Sequence, residues 1–154
     1  MPGPNVRRVV TGHDSEANAI IKTDDVIDGD RFTLVWTTNE SPADNNDESD
    51  GGKRQVGIAH AGGSVFRIAD IVPGQKTPMH RTNSVDYGLV LDGEIDLEVD
   101  GGDSVHLTRG DVVVQRGTNH LWVNNSNAVC RMAWVLLDAK PYNHKGQPLQ
   151  PILF

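Results

Sequence analysis

An all-β fold, a sandwich or a barrel, is predicted for this 154-residue chain by three observations. Short runs rich in Val, Ile, Phe, Thr and Trp recur along it, sixteen glycines and eight prolines separate those runs, and no stretch sustains helical spacing. Alternating βαβ units would need helical segments between the strands.

Taken in order, the strand candidates are Arg7 to Thr11, Ala19 to Thr23, Phe32 to Thr38, Ser64 to Val72, Ser84 to Leu91, Ile95 to Val99, Ser104 to Leu107, Val112 to Gln115, His120 to Asn124 and Val129 to Leu137. Asp92-Gly93 and Asp100-Gly101-Gly102 read as tight turns, because Gly and Asp tolerate the positive φ such turns require. Asn39 to Gly52 carries five acids, one proline and almost no apolar side chain, so it reads as a solvated surface loop. Its acids do not alternate as a calcium loop requires. The tail from Asp138, with prolines at 141, 148 and 151, ends in Ile152-Leu153-Phe154, an apolar terminus expected to dock on the barrel or on a second subunit.

Residues 1–154 are expected to form one domain, a size that buries roughly 70% of its unfolded surface. Within it lie N-terminal strands (6–38), the acidic loop (39–52), a motif core (about 64–137) and the tail (138–154). The single Cys130 forms no internal disulfide and sits in an apolar strand as a small hydrophobe. A net charge of -7 argues against nucleic-acid binding. No apolar run approaches a membrane span or a signal peptide, so a soluble, cytoplasmic protein is expected.

The chemistry concentrates in two segments. In Gly74 to Gly93, His80, Thr82 and Asp86 share parity and face one side if the strand is unbulged. In Gly110 to Asn124, Asp111 to Gln115 reads as a buried strand, Arg116 to Asn119 as a turn, and His120, Trp122 and Asn124 share a face of the next strand. Two adjacent strands then bring His80, Asp86 and His120 together. Two imidazoles and a carboxylate on one side of a small barrel form a facial set for a divalent metal.

The spacing of Gly74, His80, Thr82, Asp86 and Gly93 resembles the first cupin motif, and that of Gly110, Gln115-Arg116-Gly117, His120 and Asn124 resembles the second. The resemblance implies a single-domain cupin jelly-roll β-barrel, the double-stranded β-helix, commonly a homodimer. This chain departs from the pattern at three positions and in the first spacer of the second motif, which is one residue shorter. Thr82 replaces a second histidine, Asp86 a glutamate, and Gln115 a proline. The implied site is His80, Asp86 and His120 around one divalent transition metal, Fe(II), Mn(II), Ni(II) or Zn(II), with Thr82, Asp86 and His120 as catalytic groups.

The function expected is a metal-dependent enzyme acting on a small oxygen-rich or carboxylated molecule, by decarboxylation, dehydration, isomerisation or dioxygenation. A non-catalytic sensing module and a metal-free isomerase or epimerase with a His-Asp base are the alternatives. Arg67 is a candidate clamp for a substrate carboxylate or a snorkelling side chain, Gln115 a further pocket residue, and Trp122 a core aromatic or a pocket wall. Arg131 shares the ambiguity of Arg67. His13, His60, His106 and His144 are expected at the surface.

Overall fold

The computed structural model describes residues 3–154. Twelve strands are present among them: β1 (Val6–His13), β2 (Ala19–Ile27), β3 (Phe32–Thr38), β4 (Ser64–Ile71), β5 (Ser84–Asp92), β6 (Glu94–Val99), β7 (Ser104–Thr108), β8 (Val112–Arg116), β9 (His120–Val123), β10 (Cys130–Asp138), β11 (Asn143–His144) and β12 (Gln147–Pro148). Each of the ten expected strands is there, β3 with the expected ends and the others with one or both ends shifted. The only helical element among the described residues is a single 3₁₀ turn, Gly51–Lys53, and no helix is long and apolar enough to cross a membrane.

Two antiparallel sheets build the jelly roll. The larger has the order β3-β4-β10-β5-β8 and the smaller β7-β6-β9. The segment before β5 lies along β9 through isolated bridges, Lys76 to Val123 and His80 to His120, and Arg81 in turn bridges Ile152 of the tail. Alternation sets what faces inward. On β10, Cys130, Met132 and Leu136 are buried, opposite Ile71, Ala69 and Val65 of β4. From the smaller sheet, Ile95 and Leu97 of β6 and Leu107 of β7 complete an apolar cluster with Val90 and Trp122. Fully burying such a side chain stabilises the fold by ~1.5–3 kcal/mol.

This core fills one end of the barrel. Towards the other end, the inward positions of β5 change from Val90 through Gly88 to Asp86 and Ser84. The change from apolar to polar along one strand is what opens a site there. Two turns that connect the sheets demand glycine. Gly93 has φ 79° between β5 and β6, where a Cβ would lie 2.6 Å from the Val129 carbonyl oxygen. Gly117 has φ 62° between β8 and β9, and so fixes the spacing of Gln115 and His120.

One expected burial is corrected. The 111–115 run is an edge strand, β8, whose Val112 and Val114 are exposed while only Gln115 is fully buried. Its apolar residues alternate, and the outward half has no layer of this chain over it. The acidic loop is solvated over most of its length but is tied down at its end. Asp50 caps the 3₁₀ turn and grips Arg8, Asp47 pairs with Arg54, and Glu48 pairs with Lys22. The terminus docks on the barrel through the Arg81 to Ile152 bridge, and Phe154 lies edge-on to His80 with ring centroids 4.9 Å apart. Arg131 sits outside the core and forms a bidentate pair with Asp70 at 2.7 and 2.8 Å.

Candidate active site

Seven of the side chains singled out by sequence line one cavity of ≈ 340 Å³: Arg67, His80, Thr82, Asp86, Gln115, His120 and Trp122. The larger sheet supplies Arg67, Asp86 and Gln115, the strand β9 supplies His120 and Trp122, and the bridging segment supplies His80 and Thr82. Trp134, Leu136, Ile71 and Phe32 form apolar walls, and Phe154 lies across the tail side.

His80 and His120 are a narrow antiparallel pair. Each backbone N–H donates to the other's carbonyl, at 2.8 and 2.9 Å, which sets the two rings side by side with centroids 4.1 Å apart. Their Nδ1 atoms are anchored alike. His80 Nδ1–H donates to the Pro78 carbonyl at 2.8 Å and His120 Nδ1–H to the Thr118 carbonyl at 2.8 Å. In the neutral rings each Nε2 is then the lone-pair atom. Burial holds His120 well below the ordinary histidine range, at about 4, against the Thr118 hydrogen bond and helped by the charge His80 would carry. His120 is therefore neutral near pH 7.

The carboxylate reaches the histidines only through an amide. Asp86 and Gln115 are cross-strand partners on the inner face of β5 and β8. Gln115 Nε2 donates to Asp86 Oδ2 at 3.1 Å and to His120 Nε2 at 2.9 Å. Ser84 Oγ donates to Asp86 Oδ1 at 2.6 Å, and Ser84 and Thr82 hydroxyls meet at 2.7 Å. Asp86 is pushed above the usual carboxylate range by burial, and those two hydrogen bonds draw it part of the way back. Gln115 Oε1 is buried without a partner.

These contacts bear on the expected metal. Anchored Nδ1 atoms with free Nε2 atoms are the orientation that metal-ligating histidines need, so the imidazoles fit two ligand positions. The carboxylate does not. Both of its oxygens are engaged, the Gln115 amide stands between it and His120, and no group of three His, Cys, Asp or Glu able to hold a metal exists among the described residues. As arranged, Asp86 and His120 are joined through Gln115 in a hydrogen-bonded chain, with His80 outside it, rather than forming a facial triad with His80.

Arg67 faces the cavity with only carbonyls as partners, Gly57 O at 2.7 Å and Phe32 O at 3.4 Å. Burial lowers its pKa from the ordinary value, and a guanidinium stays charged in proteins. Trp122 serves in both expected ways. It is 5% exposed within the core cluster, and its ring packs against His120 and edge-on to Trp134, 5.8 Å away. Asn124 is a clamp rather than a cavity residue: its Nδ2 donates to Ile71 O and Ala128 O, and its Oδ1 accepts from Ser126. Of the other histidines, His13, His106 and His144 are exposed and His60 is half-buried.

Sequence reading missed Ser84, Trp134 and Phe154. Ser84 was findable, since it has the parity of Thr82 and Asp86. Trp134 depends on the register that sets it opposite Arg67 and Gly88.

The sequence matches the cupin domain family over residues 67–136. It is 46% identical to phomopsin biosynthesis cluster protein C' of Diaporthe leptostromiformis, over 92% of this chain and 83% of that protein. It is 36% identical to the cupin-domain-containing oxidoreductase virC of Hypocrea virens, over 91% of this chain and 81% of the relative. Among solved structures, a cupin 2 conserved barrel domain protein from Salinispora arenicola superposes with a TM-score of 0.45 at 25% identity, over 49% of this chain and 64% of that one. Members of this family commonly bind a metal. The matches to these relatives over most of both chains, the two motifs and the two-sheet barrel make this chain a member of the cupin-domain family.

Proposed function

We propose that this cupin is an enzyme that binds a small carboxylated or otherwise oxygen-rich molecule against Arg67 and moves a proton on it with His80 as the base. The observation that carries the reading is the meeting, on one apolar-walled cavity, of a guanidinium without a carboxylate partner and an imidazole whose Nε2 no protein donor occupies. His120 is the weaker candidate for a base, because its Nε2 already accepts from Gln115. Asp86, Gln115 and His120 then act as a positioning chain that holds the neighbouring ring. Removal of a proton next to a carbonyl, which underlies isomerisation and dehydration, is the chemistry such a base supplies. The relatives named as oxidoreductases support an enzyme rather than a sensing module.

A second reading, redox chemistry on a divalent metal, is favoured by the matched anchoring of both Nδ1 atoms and by those relatives' names. It requires the Gln115 amide to leave His120. Deuterium exchange into a panel of keto and aromatic acids, followed by NMR in D₂O, tests the first reading. Exchange next to the carbonyl is expected in wild type and lost in His80→Gln. Absence of exchange across the panel, together with stoichiometric metal in protein purified without chelator that is lost in His80→Ala and His120→Ala, establishes the second reading instead.

We further propose a homodimer across the open edge of β8, where Tyr87, Val112 and Val114 present an uncovered apolar face. Light scattering is expected to give twice the chain mass for wild type and the monomer mass for Val114→Lys.

A further inference from the structure

Hydrogen-bond direction in the polar corner restricts what the cavity accepts. Asp86 carboxylate oxygens only accept, so the group of Gln115 that faces Oδ2 is its NH₂, and its Oε1 is the free end. That oxygen is buried without a partner, on a side chain that is 6% exposed and lines the cavity. Ser84 spends its one hydroxyl hydrogen on Asp86 Oδ1, so the Thr82 hydroxyl must donate to Ser84 and keeps only lone pairs for the cavity. His80 spends its Nδ1–H on Pro78, which leaves Nε2 as a lone pair. Three groups lining the cavity, from two segments of the sequence, thus present acceptors and no hydrogen.

A buried acceptor left without a donor is destabilising, so this corner favours a ligand that brings hydroxyl or amine hydrogens to it. The guanidinium of Arg67, with carbonyls as its only protein partners, asks for the opposite chemistry. Between them stand the faces and edges of Trp122 and Trp134, which suit a flat apolar body.

We propose that the cavity takes a hydroxyaryl acid in one orientation, its carboxylate on Arg67 and its hydroxyl donated to the corner formed by His80 Nε2, Thr82 Oγ1 and Gln115 Oε1. This rests on the reading above that the cavity binds a small anionic molecule. It adds the ligand's second polar group and its polarity, and it makes Gln115 a specificity residue at a position where the family resemblance leads one to expect proline.

The test uses the full chain, with EDTA present, and follows quenching of the tryptophans. Four probes are titrated: 4-hydroxyphenylacetate, 4-fluorophenylacetate, phenylacetate and 4-hydroxyphenylacetamide. Fluorine keeps the size of the hydroxyl but has no hydrogen to donate. Wild type is expected to bind the hydroxy acid about tenfold more tightly than either the fluoro acid or the amide. The advantage over the fluoro acid should shrink in Gln115→Ala, which removes one of the three acceptors, and remain whole in Arg67→Met, whereas the advantage over the amide should be lost in Arg67→Met and remain in Gln115→Ala.

Equal affinity for hydroxy and fluoro acids in wild type overturns the inference without reference to any variant, so a misfolded variant does not shelter it. Exchanged roles of the two variants overturn the orientation. Binding that appears only when Mn(II) or Ni(II) is supplied in place of EDTA overturns the acceptor corner as the recognition element. Failure of all four probes to bind removes the underlying reading of an anion-binding cavity, a different outcome from acids that bind without regard to the hydroxyl.

Discussion

Two arginines, taken out of water in different regions, are treated in opposite ways. Arg8, 6% exposed where the β1–β2 hairpin meets the end of the acidic loop, lies between two carboxylates. Its guanidinium reaches Asp25 at 3.1 and 2.7 Å, Asp50 at 2.7 and 3.0 Å and the Val35 carbonyl at 3.3 Å, and stacks 5.8 Å from the Trp36 ring. Arg67, half-buried on the cavity wall, has two carbonyls and no acid. Charge removed from water is costly unless it is paired, so the first arginine is matched for stability and the second is left without a carboxylate, the partner the proposed ligand would supply. The same contrast separates the polar groups. Asn124, in a loop, has every side-chain valence satisfied within the protein, whereas Gln115, in the cavity, has an oxygen to spare.

The comparison breaks most visibly at Arg8. Arg8→Met strands Asp25 and Asp50 beside each other without their cation, and since both acids are partly exposed the loss should be at the low end for a broken buried pair, about 3 kcal/mol by urea unfolding. The substitution should also change the acid limb of stability. Asp25 and Asp50 are held below the usual carboxylate range, chiefly by their hydrogen bonds to Arg8. Their contribution is complete above the unfolded value of about 3.9 and is lost as pH falls through the lower folded values. Wild type should therefore lose stability below about pH 4 more steeply than Arg8→Met. Parallel acid limbs in the two proteins would show that the network carries no linkage.

His120 provides the next effect, and it distinguishes the cavity from the outer sheet. Its folded pKa of about 4 lies below the unfolded value, so the unfolded chain binds the extra proton between the two. The stability it contributes is present above about pH 6.5 and should fall by about 2 kcal/mol by pH 5. His106, exposed between Asp96 and Glu94, runs the other way. Its pKa is raised first by the hydrogen bond to Asp96, so its contribution is complete below the unfolded value and is lost as pH rises through the folded one. NMR titration of the two imidazoles should place them on opposite sides of an ordinary histidine. A His120 signal that titrates near 6.5 would mean that water reaches the ring freely.

Much of this site was legible as parity. Residues 80, 82, 84 and 86 alternate inward even though the regular strand begins only at Ser84, because the segment before it is held extended against β9. Parity gave less at His120, since all four residues of β9 are buried. What the sequence left closed was register. Asp86 meets Gln115 because β5 and β8 pair at that offset, and this pairing is what places an amide between the expected carboxylate ligand and His120. Arg8 was opaque for the same reason: its acids lie 17 and 42 residues away, on the next strand and at the end of the loop. The burial of β8 was misread because a run of valines looks alike whether one face or both are covered.

The smallest effect sharpens the comparison most. Arg67→Met removes a cation whose burial no carboxylate offsets, and methionine keeps an unbranched apolar stem on the wall between Trp134 and Leu34, its cross-strand neighbours. Two hydrogen bonds to Gly57 and Phe32 are lost, and the desolvation of the guanidinium is recovered. These terms oppose each other, so the unfolding free energy should stay within about 1 kcal/mol of wild type, while affinity for 4-hydroxyphenylacetate falls. If Arg67→Met were as destabilising as Arg8→Met, the guanidinium would be tying the 57–58 segment and β3 to the barrel. Arg67 would then be a second structural arginine, not a group held in reserve for a ligand.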